Sequence, residues 1–296
     1  DGTDGVRRWL GQGAEALGLI GPVDNEQFLR LCEGNHPVTG EPLGRKHRDR
    51  DVRLYDLTFS APKSVSVLMA VAGPDVAREV LDAHDAAVAA VQRWVEDRAT
   101  TRYRSQGEIC HVDVAGIVAM AVQEHTSRAL DPQLHTHLVI PNRVLAADGR
   151  WLALAAEIIM QDQPKLSALY HATLQAELTA RLGLRWAAEG EIAHELADVP
   201  PDVNREFSSR TAAYEKRLDT KMQRFRRSQE REPTSKERWR LQREAALESR
   251  GAKVSNDAET LAQQWMGRLV SLGVVPDRLV AEALHRAEPT TLDAET

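Results

Sequence analysis

The stretch at 131–142 reads DPQLHTHLVIPN, placing two imidazoles one residue apart inside an otherwise apolar run. A third, His125, lies just upstream in QEHTSR. On a strand, residues i and i+2 share a face. His135 and His137 therefore project side by side, while Leu134, Thr136, Leu138 and Ile140 take the core face. A hairpin centred near residue 130 sets His125 almost opposite His135, and cross-strand neighbours hold their Cβ atoms about 4.5–5.5 Å apart. Three converging imidazoles suit a divalent metal with positions left open for substrate. Without one they are costly to bury and repel when protonated. Such a site serves hydrolysis, oxidation or phosphoryl chemistry alike, and spacing does not choose among them. His84, His111, His171 and His194 lack this spacing and are left outside the site.

The elements that must position these residues are legible in outline. VRLYDLTFS at 52–60 is rich in β-branched and aromatic residues and reads as a strand. SAPKSVSVLMAVAGP follows as a helix, with Ser60 placed to cap it, Pro62 in its first turn and Gly73-Pro74 ending it. Apolar residues at helical spacing over 75–99 predict a long helix, followed by strands near 109–125 and 133–141 with Asp131-Pro132 in the turn. Asp148-Gly149 between two apolar runs signals a hairpin. Near the N-terminus 13–19 and 23–34 read as helices, the second capped by Asp24 and stopped by Gly34, and 35–50 reads as loop. From about Gln161 the chain turns helical, with a stop at Gly183, a short hairpin over LRWAAEGEIAHEL, and helices near 202–228, 234–249 and 257–272. The fold class is α+β: an antiparallel sheet packed by helices, with a helical C-terminal extension. The expected division is a core over 1–200 and an extension over 201–296.

Composition excludes some functions. No run of eighteen apolar residues exists, so no membrane span is expected. The first residues lack the apolar segment of a signal peptide, and without an initiator Met the natural chain is expected to begin upstream. Cys32 and Cys110 stand far apart, as buried thiols of a reducing compartment would. The net charge of -6 hides a segregated distribution. Between Tyr214 and Arg243, eleven Lys and Arg face five acids, and GRKHRDRDVR at 44–53 is a second basic stretch.

Here the residues match a known family. YDLTFSAPKSVSVL, HTSRALDPQLHTHLVIPN and the DGRW hairpin resemble the relaxase domain of the MobF class of conjugative relaxases. The likeness extends to GQGAEALGL near the start and FSSRTAAYEKRL at 207–218, covering most of residues 9–220. Such relaxases are HUH endonucleases, of palm-like fold, that nick one strand of plasmid DNA at the transfer origin. A tyrosine attacks the scissile phosphate and keeps the 5′ end, while three histidines hold a divalent metal. The resemblance implies His125, His135 and His137 as ligands of Mg²⁺, Mn²⁺ or Zn²⁺, and Asp56 as the acid that orients one of them or assists the nucleophile. Asp56 sits inside an apolar strand and needs such a partner. It also implies single-stranded or hairpin DNA at the origin as partner, accessory conjugation proteins, and a bacterial cytoplasmic setting.

Lys63, Ser64 and Arg128 are expected to contact phosphate, Ser64 from a helix N-terminus. Arg226 and Arg227 in the basic window, and Trp239 among its cations, are expected to meet DNA, the tryptophan by stacking on a base. The family's nucleophile lies before the GQGAE segment, yet here no tyrosine precedes Tyr55. Tyr55, Tyr103, Tyr170 and Tyr214 match no nucleophile position, so that residue is expected upstream of Asp1. No GxxxxGK[ST] motif is present, so no ATP use is expected from this segment. Two other readings stay open: a module that recognises an origin hairpin without catalysis, and a three-histidine metallohydrolase unrelated to DNA.

Overall fold

A computed structural model describes residues 6–155, 157–188, 193–249 and 257–285. Two four-stranded antiparallel sheets organise the first half. In one, β1 (Val6–Leu10), β5 (Ala119–Thr126), β6 (Pro132–Pro141) and β2 (Leu54–Ser60) run in the order β1-β5-β6-β2. In the other, β3 (Thr100–Ser105), β4 (Glu108–Ile117), β7 (Val144–Ala146) and β8 (Trp151–Leu152) run in that order. The helices are α1 (Gln12–Ala16), α2 (Asn25–Glu33), α3 (Lys63–Val71), α4 (Pro74–Arg98), α5 (Glu157–Gln161), α6 (Gln163–Leu182), α7 (Pro201–Glu206), α8 (Ser209–Gln229), α9 (Ser235–Glu248), α10 (Ala258–Ser271) and α11 (Pro276–Ala283).

The core explains why β6 holds its side chains as alternation requires. Leu134, Thr136, Leu138 and Ile140 are fully buried. Leu134, Leu138 and Ile140 share a cluster with Val80, Ala83, Ala87, Val88 and Val91 of α4 and Leu174 and Leu178 of α6. Each such aliphatic side chain contributes about 1.5–3 kcal/mol when fully buried, so turning β6 over would expose several at once. The opposite face carries His135 and His137, as expected. Helices α7, α10 and α11 add Val203, Phe207, Leu261, Trp265, Leu269 and Leu279 to the same cluster. Helices α8 and α9 pack on one another and bury only Met222, Leu241 and Ala245.

Several sequence expectations meet a different geometry. The run 109–125 is two strands in two sheets, because the chain crosses over at Val118. Gly116 permits the crossing: a Cβ there would lie 2.4 Å from the Gly13 nitrogen. Glu96 fastens the junction by accepting from the Ile117 and Gln12 amides at 2.9 and 2.8 Å. Ile117, Val118 and Ala119 are all fully buried, so hydropathy gives no sign of a break. Strands β1 and β3 and helix α11 were not anticipated, and the helix expected over 202–228 breaks at Phe207–Ser208. Ser60 ends β2 rather than capping α3. The anticipated caps of α2 hold: Asp24 accepts from two backbone amides, and Gly34 adopts φ 85°. The 146–150 hairpin and the antiparallel Trp186–Leu196 pairing also match expectation; residues 189–192 of the latter lie outside the described residues. Among the described residues no helix is long and apolar enough to cross a membrane.

Candidate metal and DNA site

The site lies on the outer face of β5, β6 and β2. In register, Glu124 pairs with His135, Val122 with His137, and His137 with Thr58. The expected partnership of His125 with His135 is therefore corrected by one residue. Pro132, which has no N–H to give, opens β6 instead of lying in the turn. Thr126 then pairs with Pro132, and the ladder shifts between Glu124 and Thr126. His125 falls in that irregular step. Its Nε2 lies 3.4 Å from the Gln123 side-chain oxygen, and Gln123 in turn donates to Asp85 on α4 at 2.8 Å.

Glu124, His135 and His137 offer three ligand atoms within 4.8 Å of one another. The two imidazole rings have centroids 5.3 Å apart. His135 places Nδ1 2.9 Å from the Gln133 carbonyl oxygen, so that nitrogen carries the proton and donates. His137 places Nδ1 3.0 Å from both Asp56 oxygens, with the Thr58 hydroxyl at 3.1 Å. The carboxylate fixes Nδ1 of His137 as the protonated nitrogen. Both rings are thereby left with Nε2 lone pairs for coordination, the arrangement outer partners impose on ligating histidines. His135 Nε2 faces the Glu124 carboxylate at 3.4 Å. Burial holds His135 below the ordinary imidazole pKa, favouring the neutral, ligating form. A carboxylate and two oriented imidazoles fit a divalent cation.

Behind this face, a buried polar chain crosses the core. His84 on α4 is fully buried, with Nε2 2.7 Å from the Thr136 hydroxyl and Nδ1 2.7 Å from the Tyr170 hydroxyl. Thr136 lies between the two site histidines on the opposite face of β6. Sequence reading set His84 aside because no local spacing links it to the others.

The expected DNA contacts meet different fates. Ser64 is fully buried, and its hydroxyl and amide both donate to Glu195. It is unavailable to phosphate: Glu195, from a distant loop, takes the anion's place at the start of α3. The Lys63 ammonium donates to the Pro132 carbonyl at 2.7 Å, which ties α3 to the start of β6. Burial lowers its pKa to about 8. Arg128 is exposed in the turn between the metal strands. Arg226 is engaged by Glu232 at 2.7 Å, whereas Arg227 is exposed. Trp239 on α9 is 58% exposed, with the Arg243 guanidinium 5.4 Å from its ring centroid. Three of the four tyrosines lie outside the cluster: Tyr170 is buried, Tyr103 lies under Arg150, and Tyr55 packs against the core from the other face of β2. Both cysteines are free thiols, half-buried rather than fully buried as expected.

The TrwC relaxase family model matches residues 2–272. The chain belongs to the TrwC relaxase family. It is 35% identical over 282 residues to the multifunctional conjugation protein TraI of Escherichia coli, covering 90% of this chain and 14% of that protein. The chain thus spans about one seventh of the relative's length. The conjugative relaxase TrwC in complex with oriT DNA, in a metal-bound structure, superposes with a TM-score of 0.79 at 34% identity. That likeness covers 92% of this chain and 93% of the other. TrwC complexed with a 27-mer DNA comprising the recognition hairpin and the cleavage site gives a TM-score of 0.78 at 33% identity, covering 91% and 92%. The relaxase likeness read from the HTH and DLTFS segments is confirmed, as is the α+β class with its antiparallel sheet.

Proposed function

We propose that this chain is a relaxase domain that binds origin-of-transfer DNA and nicks and rejoins one strand by metal-assisted transesterification, in the bacterial cytoplasm. One observation carries the reading: His135 and His137 have their Nδ1 protons engaged, and each offers a ligand atom that converges with a Glu124 oxygen on one face. His135 and His137 hold the cation, and the third ligand comes from β5. Family likeness assigns that place to His125, while the present geometry favours Glu124. The bound cation, Mg²⁺, Mn²⁺ or Zn²⁺, supplies charge neutralisation to the non-bridging oxygens of the scissile phosphate. Asp56 orients His137 through its Nδ1 proton.

In the reaction a tyrosine oxygen bonds to phosphorus and the P–O3′ bond breaks. The 3′ oxygen leaves as a hydroxyl with the proton that the tyrosine gives up, and the 5′ phosphate stays on the tyrosine. Rejoining reverses these steps. The nucleophile is proposed to lie upstream of Asp1, and the register of β1 supports this. Val6 of β1 pairs with Gln123, two residues from His125, so β1 begins at the metal end of the sheet. The extension over 201–296 is proposed to close over DNA, presenting Arg227 and Trp239 to it.

The test uses the chain extended upstream of Asp1, with a labelled transfer-origin oligonucleotide and Mn²⁺. The expected result is a metal-dependent covalent adduct on a denaturing gel, abolished by His135→Ala. Absence of an adduct in the presence of upstream tyrosines sinks the enzymatic reading and leaves hairpin binding alone. Equal affinity for origin and scrambled DNA returns the site to a metallohydrolase unrelated to DNA.

A further inference from the structure

Arg210 is the second residue of α8, and the start of that helix is pinned to the metal hairpin. The Ser209 amide and hydroxyl donate to the Asp131 carboxylate at 2.9 and 3.0 Å. Asp131 immediately precedes β6, four residues from His135, and is 1% exposed. The anchor is reinforced from α10, where Arg268 donates to Asp131 at 2.9 Å and the Trp265 indole to the Leu130 carbonyl at 2.8 Å. Arg210 is therefore delivered to the end of the sheet that carries the cluster.

Two other cations at this end are committed. Lys63 donates to the Pro132 carbonyl, and Arg268 pairs with Asp131 and Glu206. Arg128 is also exposed, in the turn between β5 and β6. Arg226 and Arg227 lie about 25 Å farther along α8 at 1.5 Å rise per residue, too far to share a phosphate with Arg210. Arg210 itself is exposed, and no hydrogen bond or ion pair with the described residues engages it. A guanidinium that no described residue engages, held at the metal-ligand end of the sheet, presents a planar fork that matches two phosphate oxygens.

We propose that Arg210 is a substrate-contacting residue of the nicking site, gripping the DNA phosphate that lies against Glu124, His135 and His137. The proposal rests on the relaxase reading. It assigns the N-terminus of α8 two tasks: Ser209 holds the helix to the metal hairpin, and Arg210 adds a positive charge where the phosphate gathers negative charge during strand transfer.

The test is a phosphate-neutralisation walk. Single-stranded oligonucleotides bearing the plasmid's own transfer-origin cleavage site carry one methylphosphonate at a time. Their affinities are measured by fluorescence anisotropy at fixed Mn²⁺ for wild type, R210A and R210Q. Wild type is expected to lose about tenfold or more at one phosphate at the cleavage site, the size of a charge-assisted contact. The variants should bind the unmodified oligonucleotide more weakly by a similar factor and show no further loss at that position. Penalties at the other phosphates should persist, and Mn²⁺ affinity by calorimetry should stay within about twofold, since Arg210 is no ligand. If either variant keeps the full wild-type profile, the assignment of Arg210 is wrong while the relaxase reading stands. If wild type itself does not distinguish the origin oligonucleotide from a scrambled one, both fall together.

Discussion

The buried His84 makes a quantitative prediction about acid stability. Its imidazole lies between Tyr170 and Thr136 with no exposure to solvent. Burial pushes its pKa down to about 3, with the Arg8 charge acting in the same direction. An unfolded histidine titrates near 6.5. Between these values the unfolded chain binds a proton that the folded chain refuses, so stability falls as pH falls. This contribution is nearly complete at pH 7 and is lost progressively as pH drops toward 3. From pH 7 to pH 5 the loss from this one group is about 2 kcal/mol. His84→Gln keeps a side chain that can both donate and accept without titrating. It should cost stability at pH 7 through imperfect packing, yet lose about 2 kcal/mol less than wild type on moving to pH 5. Urea unfolding at the two pH values, with chelator present, measures the difference directly. His135, also lowered by burial, adds to the wild-type loss but cancels in the comparison. Equal acid losses in the two proteins would refute the reasoning. So would a His84 ring resonance in the folded protein that titrates near pH 6.

Three more outcomes can be checked. Asp56→Asn should weaken Mn²⁺ binding about tenfold or more by calorimetry, because the Nδ1 proton of His137 loses its carboxylate; unchanged affinity removes Asp56 from the site. Glu124→Gln and His125→Ala separate the two candidates for the third ligand: the true ligand's substitution should lower Mn²⁺ affinity far more than the other's, and two small effects would exclude both. Lys63, with its pKa lowered to about 8, sheds its proton on folding across the range up to about 10.5. Stability should therefore rise with pH there, by about 2 kcal/mol between pH 7.5 and 9.5. Lys63→Met should lack that rise, and a wild type with flat alkaline stability would contradict the burial of its ammonium.

What the sequence determined by itself were properties that short-range geometry controls. Alternation settled which face of β6 carries His135 and His137, because the period of a strand is two whatever surrounds it. Asp24 and Gly34 marked the ends of α2 because capping is satisfied within a few residues. The family was legible in the ordered DLTFSAPKS and DPQLHTH segments. Tertiary structure decided everything that depended on long-range register or on contacts between distant segments. A one-residue shift in the β5–β6 ladder put Glu124, not His125, opposite His135. Glu195 took the anionic place at α3 that Ser64 had been expected to fill with phosphate. Asp131 fastened α8 to the metal hairpin across 78 residues of sequence. None of these could be read locally. A register slip leaves composition and period unchanged, and the partner of a buried polar group is chosen by which segment arrives beside it.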